Sequence, residues 1–351
     1  VAGRGADGPG LARLAEALAW PLLADPLSGA RTGGAAVAHY DALLRDGGWA
    51  ASAMPACVLR VGDLPTSKPL RQWLAALAPD VPQAALVPSG RWPDPDAVLT
   101  EVFALDPGTI ASIDRVWPAD RAWLGRWRDA DARAAAAIAS TLGEPAGGPA
   151  LDEPRIARAL ATDTPAGATV VIAASMPIRD VETFWPVLDA PPRALANRGA
   201  NGIDGTVSTA YGVAAATDGP TYLLIGDVAL AHDIGGLLAG RRLNTPLTIV
   251  VVDNAGGGIF DFLAVSTQGA EYEEHVLTPT GLEIARAAAL YGARYHGVED
   301  LDGLHAALAA PSGEGTTILH ARTERAANVA LHRRVWAAVA DALRESLPAD
   351  R

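Results

Sequence analysis

Cysteine and lysine are almost missing from this sequence, and each shortage closes off a class of function. Cys57 is the only cysteine, which excludes an intrachain disulfide, a multi-cysteine metal site and an iron–sulfur cluster. Within ACVLRVG it reads as a strand residue. Lys68 is the only lysine, and 28 Lys and Arg stand against 40 Asp and Glu, a formal net charge of −12. That balance excludes a general polyanion-binding surface, which needs clustered cations, while leaving local basic sites open. No apolar run reaches the roughly eighteen residues of a membrane-spanning helix. None of the seven histidines falls in HExxH spacing. Nor is there a basic-then-apolar leader after Val1. VAGRG reads as the end of a strand already under way, so the sequence is expected to be part of a longer polypeptide.

What is present is an alternation of β-rich apolar runs with helical patterns. Half of the 351 residues are apolar, enough for about two domains with sizeable cores. The first half offers a helix over 10–19, a short apolar run PLLAD, strands over 57–62 and 84–88, a helix over 70–78 and a long Ala-rich helix over 119–142. The Gly/Pro cluster GEPAGGPA (143–150) is the expected linker. Beyond it, strands over 169–174, 221–225, 247–253 and 316–321 alternate with helices over 153–161, 205–216, 231–241, 281–291, 301–309 and 326–347. Strands alternating with helices imply parallel sheets with helices on their faces. The expected fold class is α/β: two Rossmann-like three-layer α/β/α domains with mainly parallel sheets, divided at 1–145 and 150–351.

One glycine motif competes for attention. GRGADG (3–8) fits G-x-G-x-x-G after a strand, with Asp25 beyond it, the pattern of a dinucleotide site. In a sequence with 36 glycines a structural turn is the preferred reading.

A pair of strand ends carries more. TYLLIGD puts Gly226 and Asp227 at the carboxyl end of one strand, and IVVVDN puts Asp253 and Asn254 at the end of another, 27 positions later. That separation fits a strand, a crossover helix and a parallel neighbour, so both side chains emerge at the sheet edge where α/β folds bind ligands. A carboxylate, an amide oxygen and a nearby backbone carbonyl are hard donors suited to Mg²⁺. Backbone N–H groups after Gly226 are placed to meet diphosphate oxygens. The run Gly256–Gly258 would let the chain turn tightly and bring backbone against the ligand. Two ordinary strand-to-loop turns would show the same residues.

The wider text resolves this ambiguity by resemblance. GD followed 27 positions later by Asn resembles the thiamine diphosphate motif. ASMPIRD (174–180), ANRGANGIDGTVSTAYGVAAA (196–216), GDVALAHDIGGLL (226–238), VVVDNAGGGIFDFL (250–263) and YEEHVLTPTGLEIARAAALYG (272–292) are similar to the 2-succinyl-5-enolpyruvyl-6-hydroxy-3-cyclohexene-1-carboxylate synthases of menaquinone biosynthesis. VAGRGADGPGLARLAEALAWPLLADPLSG (1–29) resembles the opening of that family's central, transhydrogenase-like domain.

The resemblance implies thiamine diphosphate and Mg²⁺ (or Mn²⁺) as cofactors, with 2-oxoglutarate and isochorismate as substrates of a decarboxylating 1,4-addition. Asp227, Asn254 and the Gly256 carbonyl would hold the metal. Gly226, Val228 and Ala229 would line the diphosphate path, and Ile203 would bend the cofactor. Ser175, Arg179 and Arg198 would meet substrate carboxylates, for which a planar Arg fork is suited. Ile259, Phe260 and Leu263 would wall the isochorismate side. Departures are Asp253 and Ala255, where relatives carry Asn, and Val228-Ala229-Leu230, which offers no hydroxyl. No catalytic residue is expected in this chain. The family's activating Glu lies on an N-terminal pyrimidine-binding domain contributed by a neighbouring chain of a homodimer or tetramer, so the chain alone is expected to be inactive. A cytoplasmic location is implied, with neither nucleic acid nor membrane insertion. Alternatives are a thiamine enzyme of the acetolactate synthase or oxoacid decarboxylase type, and a non-catalytic truncated subunit. Arg4, Arg31 and Arg60 are candidates for an acidic effector.

Overall fold

The computed structural model describes residues 1–88, 92–106, 108–109, 113, 120–143, 151–199, 202–310 and 313–344. The expected linker lies outside the described residues from position 144 to 150. Two compact units emerge. The first comprises Val1–Glu144, Glu182–Pro191 and Arg333–Arg351, the second Pro145–Val181 and Pro192–His332. The C-terminal segment, placed with the second domain in the sequence reading, thus groups with the first unit.

In the first unit the strands are β1 (Leu22–Leu23), β2 (Ala36–Val37), β3 (Val58–Val61), β4 (Gln83–Val87) and β5 (Glu101–Ala104). β1 pairs with β2, and β4 runs between β3 and β5, all in parallel. Ala2 joins the two sets through parallel bridges to Ala24 and Val61, as expected of a strand end. Cys57 is exposed and precedes β3 instead of lying within it. Two glycines of GRGADG, Gly3 and Gly8, are crowded by the protein's own backbone. A Cβ on Gly3 would strike the Asp63 carbonyl, and one on Gly8 the Gly29 carbonyl, so the first and last glycines are required by packing within the fold. The helix that follows, Gly8–Leu18, starts on Asp7, whose carboxylate accepts the Gly10 N–H, with Pro9 in its first turn. Arg4 pairs with Asp63. Arg31, 2% exposed, donates to the carbonyls of Ala24, Glu182 and Trp185, and Arg60 to that of Pro93. All three effector candidates are engaged by neighbours within the fold.

The second unit holds one six-stranded sheet, all of whose pairings are parallel. Its strands are β6 (Thr169–Ile172), β7 (Arg193–Ala196), β8 (Thr221–Gly226), β9 (Leu247–Asp253), β10 (Arg294–Val298) and β11 (Thr316–Arg322), in the order β10-β11-β9-β8-β6-β7. β5, β7 and β10 carry too few consecutive buried apolar residues to be read as strands from sequence, and the sheet supplies what their own pattern lacks. Central β9 is buried on both faces, with Ile249, Val250 and Val251 at 0% exposure. That is why it reads as a continuous valine run instead of an alternation. Ile249 and Val251 pack with Leu223, Ile225, Tyr211 and Ile318 in one core.

The helix expected over 231–241 is broken into Asp227–His232, a 3₁₀ turn Ile234–Leu237 and Leu238–Leu243. The break has a cause. The Asp233 carboxylate accepts the Ser208 N–H and hydroxyl, and an added Cβ on Gly236 would lie 2.8 Å from the Ser208 Oγ. Among the described residues, no helix is long and apolar enough to cross a membrane.

Candidate active site

β8 and β9 are adjacent, with Gly226 in register with Val252. The chain leaves both strands at the same end of the sheet, where a cavity of about 450 Å³ opens. Of the residues singled out from sequence, Ser175, Arg179, Arg198, Ile203, Gly226, Asp227, Val228, Ala229, Asn254, Gly256, Ile259 and Phe260 all line it. Leu263 does not; it is 50% exposed beyond the lining. Of the family-like stretch 196–216, residues 200 and 201 lie outside the described residues.

Asp227 is 4% exposed and opens the short helix after β8. Burial and the nearby Asp253 charge push its pKa up to about 6, against backbone N–H groups of Val228, Asp227 and Gly256 that favour the carboxylate. Across the cavity floor, the Asn254 Nδ2 donates to Glu153 Oε1 at 2.7 Å. The Asn254 Oδ1 is buried without a hydrogen-bond partner. The Gly256 carbonyl accepts the Gly258 N–H at 2.9 Å, which leaves its second lone pair. A buried carboxylate, an orphaned amide oxygen and a half-used carbonyl fit a hard divalent cation such as Mg²⁺. Among the described residues no group of three or more His, Cys, Asp or Glu side chains converges as a metal site. The donor set here is mixed, with one acid only.

The glycine run answers to the protein as much as to any ligand. Gly256 has φ +144°, and a Cβ there would lie 2.6 Å from Leu277 Cγ. The Gly257 N–H donates to the Leu277 carbonyl at 2.7 Å. At Gly258 a Cβ would lie 2.7 Å from Asn254 Nδ2. All three glycines line the cavity with their backbone, and the space a side chain would need at Gly256 and Gly258 is taken by Leu277 and the Asn254 amide. Asp253, the acid beside Asn254, is engaged by other partners. Its Oδ2 meets His320 Nε2 at 2.8 Å and its Oδ1 accepts the Ala255 N–H at 3.1 Å. The His320 contact holds its pKa below the usual carboxylate value.

Ser175 adopts φ +75°, and Arg179 Nη1 donates to its carbonyl at 2.5 Å. This turn after β6 brings Ser175 and Arg179 to the cavity. Sequence reasoning missed two buried acids in the same lining, Glu153 and Asp180. Burial and the Asp180 charge push Glu153 up to about 7. Asp180 pairs with buried His332 at 2.9 Å. Neither acid sits in a recognisable spacing: Glu153 is 101 positions from Asn254, and only the fold joins them.

Comparison with known proteins gives a likeness for this part of the chain. Residues 179–321 match the family described as thiamine pyrophosphate enzyme, C-terminal TPP binding domain. This stretch, about two fifths of the chain, is thus similar to the cofactor-binding domain of thiamine pyrophosphate enzymes. Over nearly all of its own length it is homologous to proteins named 2-succinyl-5-enolpyruvyl-6-hydroxy-3-cyclohexene-1-carboxylate synthase. It is 39% identical to that of Listeria monocytogenes over 94% of the chain and 58% of the relative. Against that of Chloroflexus aurantiacus it is 38% identical over 97% of the chain and 59% of the relative. Against that of Geobacillus kaustophilus the figures are 38%, 95% and 59%. The chain therefore spans a little under three fifths of the length of these relatives.

Proposed function

We propose that the chain supplies the diphosphate-binding side of a thiamine diphosphate- and Mg²⁺-dependent carboligase. The reaction decarboxylates 2-oxoglutarate and adds its remaining succinyl unit 1,4 to isochorismate, giving 2-succinyl-5-enolpyruvyl-6-hydroxy-3-cyclohexene-1-carboxylate. One observation carries the reading. Asp227 and Asn254, whose Oδ1 is buried and unpaired, stand at the ends of adjacent parallel strands and line one cavity with Arg179 and Arg198.

In this reading Asp227, Asn254 and the Gly256 carbonyl hold Mg²⁺, with Mn²⁺ as the alternative. When bound, thiamine diphosphate supplies the stabilised carbanion chemistry that no side chain provides. The protein binds and orients. Gly226, Val228 and Ala229 border the diphosphate path, and Ile203, packed against the sheet core, supports the cofactor from the apolar side. Ser175, Arg179 and Arg198 receive the substrate carboxylates. Ile259 and Phe260 exclude water from the ring of isochorismate. Leu263, exposed beside them, joins that wall only when substrate covers it. The activating Glu comes from a pyrimidine-binding domain of a neighbouring chain in a homo-oligomer.

The test uses the chain together with a separately prepared pyrimidine-binding domain. Product forms from 2-oxoglutarate with isochorismate and not from pyruvate alone. Asp227→Ala weakens thiamine diphosphate binding in a Mg²⁺ titration by at least about tenfold. Unchanged cofactor affinity in that variant would refute the metal assignment, and pyruvate self-condensation would move the chain to the acetolactate type.

A further inference from the structure

The Asn254 amide has two ends of nearly equal size, and only one of them ligates a cation. Something must decide which end faces the cavity. Glu153 is 4% exposed and stands in the first turn of the helix Glu153–Thr162. That turn is fixed by the Asp152 cap, which accepts the Arg155 N–H, and by Pro154. Glu153 Oε1 takes the Asn254 Nδ2 at 2.7 Å and the Thr323 hydroxyl at 3.4 Å. Thr323 is itself tied to the end of β9, its N–H donating to the Asp253 carbonyl at 3.0 Å. The acceptor is thus anchored at the end of β9 through Thr323. On another side Gly258 comes so near the amide that it has no room for a Cβ.

We infer that Glu153 is a positioning residue: by accepting from Nδ2 it fixes the Asn254 amide so that its buried, unpaired Oδ1 is the end left for a cation shared with Asp227. This rests on the metal reading given above. An amide turned the other way would set its oxygen against the Glu153 oxygen and leave its NH₂ facing the cation. Second partners that orient a ligand in this manner are commonly worth about 10- to 100-fold in metal affinity.

The test is Mn²⁺ binding to the 351-residue chain in the presence of thiamine diphosphate, read by electron paramagnetic resonance, with thermal unfolding followed in parallel. Glu153→Ala is expected to weaken Mn²⁺ by roughly 10- to 100-fold. Glu153→Gln falls between, because its amide offers both a donor and an acceptor to Asn254. The deciding variant is the double substitution Glu153→Ala, Asn254→Asp. A carboxylate presents oxygen at either end and needs no orienting partner, so Mn²⁺ affinity returns toward that of the unsubstituted chain.

A Glu153→Ala chain that binds Mn²⁺ as well as the unsubstituted one overturns the inference. So does a loss that Asn254→Asp fails to restore, since a helix anchor alone would show that pattern. Asp227→Ala separates the two readings. If it leaves Mn²⁺ binding intact, the metal site itself is misplaced and the role of Glu153 falls with it. If it removes binding while Glu153→Ala does not, only the inference fails.

Discussion

At the scale of single residues, the site depends on atoms that have been left no alternative. Asn254 sits between Glu153 and Gly258, and the two constrain it differently. Glu153 chooses the orientation by hydrogen bonding, and Gly258 leaves room for it by lacking a side chain. Gly258→Ala is therefore expected to keep the fold, because its φ lies outside the left-handed range that penalises side chains. Its new Cβ, 2.7 Å from Nδ2, must move the amide. The expected outcome is a loss of about tenfold or more in Mg²⁺-dependent thiamine diphosphate affinity with a melting temperature close to that of the unsubstituted chain. Isothermal titration beside a thermal melt checks it. Gly256 differs. Its φ of +144° and its contact with Leu277 tie the same loop to the fold itself, so a side chain there disturbs folding as well as binding.

At the scale of elements, a parallel register decides the site and a buried pair decides how nearby helices are held. Parallel pairing of β8 with β9 puts both loop starts at one edge; an antiparallel pair would have sent them to opposite edges. The helix Met176–Phe184 carries Arg179 to the cavity on one side and Asp180 to His332 on another. Asp180 has a raised pKa because burial disfavours its charge more than His332 restores it. For His332 burial works to lower the pKa, but the hydrogen bond and charge of Asp180 outweigh it and the net shift is upward from 6.5. Both shifts are upward, so the folded chain binds more protons than the unfolded one and stability falls as pH rises. The share from His332 is fully present below about 6.5 and is lost as pH passes its raised folded value. His332→Ala leaves Asp180 buried without its cation, at a cost of about 3–5 kcal/mol near neutrality. It also removes the His332 share of that decline, above about 6.5, while the Asp180 share grows. Urea unfolding over a pH series would show both effects or neither.

At the scale of the molecule, charge sets the conditions for binding. A net charge of −12 works against the anionic cofactor and polycarboxylate substrates proposed for it. Within the cavity lining, Glu153, Asp180 and Asp227 outnumber Arg179 and Arg198. Free thiamine diphosphate is therefore expected to associate more slowly at low ionic strength and faster as salt approaches about 0.15 M, where the screening length is about 8 Å. Stopped-flow fluorescence at several salt concentrations measures this directly. A rate that falls with salt would mean that the two arginines dominate the approach.

Most of the second unit could be read in advance, because a buried parallel strand such as β9 announces itself as an apolar run. β7 and β10, with exposed Arg193, Arg294 and His296, could not; a flanking strand borrows its order from its neighbour. The broken helix after His232 was hidden for a related reason, since Asp233 and Ser208 are 25 positions apart. Cys57 shows the opposite error, since the strand expected over 57–62 is one residue too long at each end.

From the sequence alone came the α/β class, the two strand ends carrying Asp227 and Asn254, and the resemblance to the synthases. All of these rest on local pattern and short spacing. Only the tertiary structure decided that Leu277 takes the space at Gly256, that His320 engages the Asp253 carboxylate, and that Glu153 meets Asn254 from 101 positions away. The physical reason is range. Periodicity and turn chemistry act over a few residues, whereas a hydrogen bond closes over about 3 Å of space whatever the length of chain between its ends.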